Sequence, residues 1–260
     1  MMKSDEFTYC ARLARDRDYG RYLCALAAPA NSRNALLVLL AFNDELGKVR
    51  EIVSEPTLGD IRLAWWRETL VADQEAEGGA HPVARALKQV VLENGAHMAT
   101  LQAMIDGRAR DMDPAPFTNV TELEEYAKAT AGTLAQAALQ VLRVDDEESR
   151  KAASEVAVAW ALIGFLRSVP FHENAGRRVL GRQLVPTDIL DRVDDLLIAA
   201  RGRGRRVTRK AYPVLLTARI CDLYLSRYRS SNCDLYKTNL EFAPLTPVWR
   251  VSTGRLFGRY

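Results

Sequence analysis

The chain has 260 residues, 48% of them hydrophobic, enough to bury a sizeable core without disulfide or metal staples. The unbroken apolar run of eight residues from Ala35 to Phe42 falls well short of the roughly 18–20 residues a bilayer-spanning helix needs. Its net charge of +3 hides an asymmetry: residues 201–260 hold 13 basic and three acidic residues, and residues 1–200 hold 23 and 30.

The opening Met1-Met2-Lys3-Ser4-Asp5-Glu6 reads as neither a signal core nor a transit peptide. Helical periodicity then runs almost end to end. Asn31-Ser32 serve as cap types for a helix through Ala35–Phe42 to about Ile52. Pro56 opens another, with apolar stripes through Leu58, Ile61, Trp65 and Trp66, ended by Gly78-Gly79. His81-Pro82 begins the next. Met98 to Asp111 is a further helix, stopped by Asp113-Pro114.

Thr121 to Glu124 fits a capping box for a helix reaching Val141. The acids of Asp145 to Glu148 sit at the positive end of a long helix that Pro170 halts at Val169. A Gly/Arg loop, a helix over Ile189–Ala200, the loop Arg201–Arg206, a helix over Thr208–Arg229 and a short one over Val248–Leu256 complete the chain. No stretch alternates as a strand, and no repeat of fixed period marks a solenoid. The expectation is all-α: one helical domain over residues 1–260 with a basic segment, 201–260.

Nucleophile elbows, dinucleotide fingerprints and phosphate loops are absent. Four cysteines without CxxC spacing and three histidines argue against zinc and for free thiols. What remains is carboxylates and arginines on apolar helices. Asp44, Lys48 and Glu51 share one helix face at i, i+4 and i+7, beside Arg50. Asp106, Arg108, Arg110 and Asp111 form a second cluster. Either is equally a set of surface ion pairs. Arg167 ends the apolar run from Trp160, so it needs a partner if buried or snorkels at a helix end. Arg62, Trp65, Trp66 and Arg67 form a fourth cluster, for which ordinary core packing is the alternative.

The ordered set Asp18-Tyr19, Tyr22-Leu23, Ala41-Phe42-Asn43, Arg62 to Arg67, Gly107 with Asp111, Tyr126, Ala131-Gly132-Thr133, Leu166-Arg167, Gly176-Arg177 and Leu184-Val185-Pro186 resembles the squalene/phytoene synthase family over about residues 8–190. The resemblance implies an isoprenoid-synthase-like helical domain around an apolar central cavity. It also implies head-to-head joining of prenyl diphosphates, with magnesium held by two aspartate-rich helical motifs. In that register the first motif falls on Gly47, Lys48 and Glu51, and the second on Ser168 and His172. A slip brings Asp44 and Glu45 to the first motif. No slip repairs the second, because no acid lies between Glu155 and Glu173.

The run from Ala41-Phe42-Asn43 to Val53-Ser54-Glu55-Pro56, with Pro244-Leu245 and Trp249-Arg250, is similar to a divergent branch. That branch includes mitochondrial complex I assembly factor six and its bacterial relatives. The expectation is therefore a non-catalytic isoprenoid-binding or complex I assembly-type factor, cytoplasmic or peripheral on the inner membrane. Its expected partners are an isoprenoid or prenyl diphosphate, an anionic membrane surface and respiratory complex subunits. No cofactor is expected and no metal ligand is assigned; magnesium belongs to the alternative, an active prenyl transferase. Nucleic-acid binding through Arg201–Arg206 with Tyr212, Tyr224 and Tyr228 is a further alternative, without a visible recognition module. The candidate pocket residues are Asp44, Lys48, Glu51, Arg62, Trp65, Asp106, Arg108, Asp111, Tyr126, Arg167, Ser168 and His172.

Overall fold

A computed structural model describes residues 4–53, 55–71, 81–92 and 94–260. Among these, thirteen α-helices follow one another with no strand; an isolated bridge joins Phe117 to Leu180. The helices are α1 (Ser4–Arg17), α2 (Tyr19–Leu26), α3 (Ala30–Ile52), α4 (Pro56–Val71), α5 (Pro82–Ala86), α6 (Met98–Asp106) and α7 (Val120–Ala127). Then come α8 (Thr133–Val141), α9 (Glu147–Asn174), α10 (Pro186–Gly202), α11 (Tyr212–Leu215), α12 (Thr217–Ser230) and α13 (Leu245–Phe257).

Two helices form the axis. In α3 every residue from Ala35 to Phe42 is buried, so the apolar run that is too short for a membrane is the centre of the bundle. Helix α9 is long and apolar enough by composition to cross a membrane. Its Val156, Leu162, Ile163 and Leu166 are instead enclosed by α7, α8, α10, α11 and α12. An apolar helix face surrounded by other helices is stabilised by packing rather than by lipid. The four cysteines are free, three of them buried, and burial pushes the Cys10 and Cys24 thiols up to about 12.

Several boundaries differ from the sequence expectation. Helix α3 begins at Ala30 behind Pro29, so Asn31-Ser32 lie within its first turn. The capping box sits two residues early: Asn119 Oδ1 accepts from Glu122 N–H (2.9 Å), and Glu122 accepts from Thr118 N–H (2.8 Å). Pro170 does not stop α9. It removes one N–H, but α9 continues to Asn174, where Ala175 and Arg177 donate back to His172 O. The expected single helix over Met98–Asp111 tightens into a 3-10 turn, Gly107–Met112. The expected end of the fourth helix at Gly78-Gly79 lies outside the described residues.

Candidate functional site

A cleft of about 650 Å3 opens between α1–α3, the 107–117 segment, α9 and the 176–179 loop. Its wall contains eight Arg/Lys side chains against four carboxylates. Its inner surface is apolar, with Phe117, Ala131, Trp160, Ala161 and Phe165. Behind it lies a smaller apolar cavity of about 50 Å3, framed by Leu36, Leu39, Leu40, Leu134 and Ala157. Arg21, Ala131 and Trp160 border both spaces. A polar, cationic entrance leading to an apolar interior suits an amphiphile with an anionic head.

Asp44, Lys48 and Glu51 on α3 are already matched by ion pairs. Lys48 Nζ lies 2.5 Å from Asp44 and 3.2 Å from Glu45. Arg17, from the end of α1, reaches Asp44 at 3.3 Å and Glu51 at 3.7 Å. Burial opposes the Lys48 charge, but the two carboxylates outweigh it and raise its pKa.

The opposite wall is built on the tight turn after α6. Gly107 makes this turn possible. A Cβ there would meet the Ala129 carbonyl oxygen at 2.3 Å, because the turn abuts the widened helical turn Lys128–Gly132 between α7 and α8. The turn delivers Arg108, which donates to Asn43 Oδ1 (3.1 Å) and Tyr126 Oη (3.2 Å) and faces Asp111 at 3.5 Å. Tyr126 in turn donates to Asp111 at 2.5 Å. Burial, then Asp111, pushes the Tyr126 phenol well above its usual range. Burial disfavours the Arg108 charge, yet Tyr126 and Asp111 reverse that and hold its pKa high. Arg110 is likewise engaged, with its guanidinium 4.5 Å from the Phe117 ring centre and 3.3 Å from Glu122.

Of the eight cations in the cleft wall, three have no carboxylate partner among the described residues: Arg50, Arg177 and Arg178. Arg177 Nε and His172 Nδ1 are both buried without a hydrogen-bond partner. Burial, then Arg177, lowers the His172 pKa and keeps its imidazole neutral near pH 7.

The cleft gathers eight of the twelve sequence candidates: Asp44, Lys48, Glu51, Arg108, Asp111, Tyr126, Ser168 and His172. It leaves out four. Arg62 is exposed on α4, and Trp65 lies half-exposed against Trp66 and His81. Asp106 points outward to Arg67 at 2.7 Å. Arg167 lies two turns inside α9, exposed, with its guanidinium 4.4 Å over the Tyr224 ring. Neither the buried-partner reading nor the helix-end reading of Arg167 applies, because α9 outruns Pro170 and turns this side chain away from the cleft. Sequence reasoning missed Arg17, Arg21, Arg177 and Arg178 as wall residues, and named Arg110 in its second cluster without carrying it to the pocket. Arg17 and Arg21 flank Asp18-Tyr19, and Arg177 follows Gly176, so the family-like phrases held that signal.

A magnesium cluster on the family pattern asks for converging, available carboxylates. Among the described residues no three Asp, Glu, His or Cys groups stand close enough to hold a metal. Asp44 and Glu51 are joined by Arg17, Lys48 adds a second cation, and the opposing α9 positions are Ser168 and His172. These residues do not fit the metal.

Residues 14–231 match the family model described as squalene/phytoene synthase. The chain belongs to the squalene/phytoene synthase family. It is 31% identical over 256 residues to NADH dehydrogenase (ubiquinone) complex I, assembly factor 6, of Bos taurus, covering 90% of this chain and 77% of that protein. The Homo sapiens protein of the same name is 30% identical over 256 residues, with the same coverage. A dehydrosqualene synthase solved in complex with ligand superposes with a TM-score of 0.77 at 18% identity, covering 97% of this chain and 96% of that one. That likeness shows the all-α synthase fold.

Proposed function

We propose that this family member is an assembly-type factor for respiratory complex I whose cleft takes a prenyl diphosphate, or a similar anionic isoprenoid, without magnesium and without converting it. The assembly reading is supported by the likeness to the assembly factor 6 proteins across most of both chains. The ligand reading is supported by the synthase fold and by a cationic entrance before an apolar interior.

The observation that carries the non-catalytic reading is the pairing of Asp44 with both Lys48 and Arg17. Carboxylates so paired are poor metal ligands, and a lysine at the metal position repels a divalent cation. In place of metal, Arg50, Arg177 and Arg178 offer guanidinium forks to phosphate oxygens. In this reading the wall holds an anionic head without activating it as a leaving group.

The assembly half is tested by deleting the gene in its own host and quantifying assembled NADH dehydrogenase on native gels. Loss of assembled complex, restored by the wild-type gene, is expected. Normal assembly in the deletion strain contradicts it. The ligand half is tested by calorimetry with farnesyl diphosphate in EDTA, where binding is expected.

A further inference from the structure

The outward face of α13 is apolar where a surface helix is ordinarily polar. Leu245, Trp249, Ser252 and Leu256 follow at i, i+4, i+7 and i+11, which places them on one stripe. Leu245, Trp249 and Leu256 are 76%, 71% and 75% exposed, and Phe257 borders the stripe at 68%. The opposite face, with Val251 and Gly254, is buried. Its seating is close: a Cβ on Gly254 would lie 2.8 Å from Leu216 and 2.7 Å from the Arg259 carbonyl oxygen.

The end of the helix is pinned. Tyr212 donates to Gly258 O at 3.0 Å, and Tyr260 donates to Ala200 O at 2.9 Å. The apolar stripe is thus held outward by the fold itself.

The charge around the stripe has one sign. Arg250 and Arg255 lie on opposite sides of it by helical periodicity, and α13 contains no acidic residue. Arg259 follows, and Arg219 stands beneath with its Nε buried and unpartnered. The nearby Asp222 is engaged by Arg201, at 2.8 and 2.9 Å. Burial and the surrounding arginines, Arg250 first, hold the Arg219 pKa below its ordinary value. A cluster of uncompensated guanidinium groups beside an exposed tryptophan and leucines matches an anionic bilayer: phosphates meet the arginines, Trp249 meets the headgroup boundary, and the leucines enter the acyl region.

We infer that α13 is a membrane-docking helix that lays its Leu245–Trp249–Leu256 stripe into the surface of an anionic bilayer. This stands apart from the cleft: it uses none of the cleft residues, and either claim survives the failure of the other.

The test is co-flotation of the full chain with vesicles of phosphatidylcholine alone, or with about one third phosphatidylglycerol. Binding to the anionic vesicles is expected, weakened about tenfold or more as salt rises from about 0.05 M to about 0.5 M. Lipids brominated in the acyl chain are expected to quench tryptophan fluorescence in the native chain but not in Trp249→Phe. A triple variant, Leu245→Ser with Trp249→Ser and Leu256→Ser, changes only exposed side chains. It is expected to keep its circular dichroism and lose flotation. Three results would overturn the inference: no flotation with anionic vesicles at low salt, unchanged flotation of the folded triple variant, or capture of the native chain by an acidic polypeptide alone.

Discussion

Lys48 places its ammonium 2.5 Å from Asp44, one helical turn away on the same face of α3, at the mouth of the cleft. In the proposed function, Lys48 stands where the family resemblance leads one to expect a metal-binding carboxylate. Replacing Lys48 by Met removes a cation from the anion's surroundings, and a roughly tenfold loss of farnesyl diphosphate affinity, about 1.4 kcal/mol, is expected by calorimetry. Replacing it by Asp puts a new carboxylate beside Asp44 and Glu51. Binding in that variant is expected to become magnesium-dependent, and it is measured with and without EDTA.

The Gly107 turn can be tested against a glycine on the cleft wall that has room. Gly107→Ala drives a methyl group into the Ala129 carbonyl, which neighbouring backbone cannot easily yield. A loss of about 1–3 kcal/mol in urea unfolding is expected, together with weakened ligand binding as Arg108 shifts. Gly164→Ala, in the middle of α9, meets nothing within 4 Å. It is expected to gain about 0.5–1 kcal/mol from helix propensity.

The helix order and the all-α fold were legible because apolar residues recur at helical spacing along α3, α9 and α12. The α3 half of the cleft was legible too, since Asp44, Lys48 and Glu51 share a face within one helix. Arg167 was not. Its position depended on Pro170, and the fold tolerates that proline because only one backbone bond is lost while the following turn is closed at His172. The Arg17 contribution was equally hidden. Its ion pairs with Asp44 and Glu51 join residues 27 and more positions apart, a contact that tertiary packing of α1 on α3 decides.

His172 gives the cleft a pH response. Burial and then Arg177 depress its pKa, with Arg50 acting in the same sense and Glu51 and Asp111 against it. Protonation, moved to lower pH than for an ordinary histidine, adds a positive charge facing the ligand, so anion affinity is expected to rise as the imidazole takes up its proton. A phosphate ester also takes up a proton in mildly acidic solution. The comparison is therefore between native chain and His172→Gln: the variant is expected to show a flatter affinity profile as the pH is lowered.

Acid stability reports the packing of α7 against α10. Glu124 accepts two hydrogen bonds from Arg192, at 2.7 and 3.0 Å, and these, with Lys128, hold its carboxyl down to about 2 against burial. A depressed carboxylate stabilises the fold above its unfolded value of 4.5, and the contribution is lost as pH falls toward about 2. Glu124→Gln is expected to destabilise the chain by roughly 1–3 kcal/mol at pH 7. Its stability is expected to fall less steeply than that of the native chain below pH 4.5.

In the proposed function the cleft holds an anionic isoprenoid without metal chemistry. The most direct measurement incubates the full chain with farnesyl diphosphate, with magnesium or with EDTA, follows binding by calorimetry, and extracts the mixture for products. The same affinity in both buffers is expected, with intact farnesyl diphosphate recovered from both. A magnesium-dependent head-to-head product would contradict it.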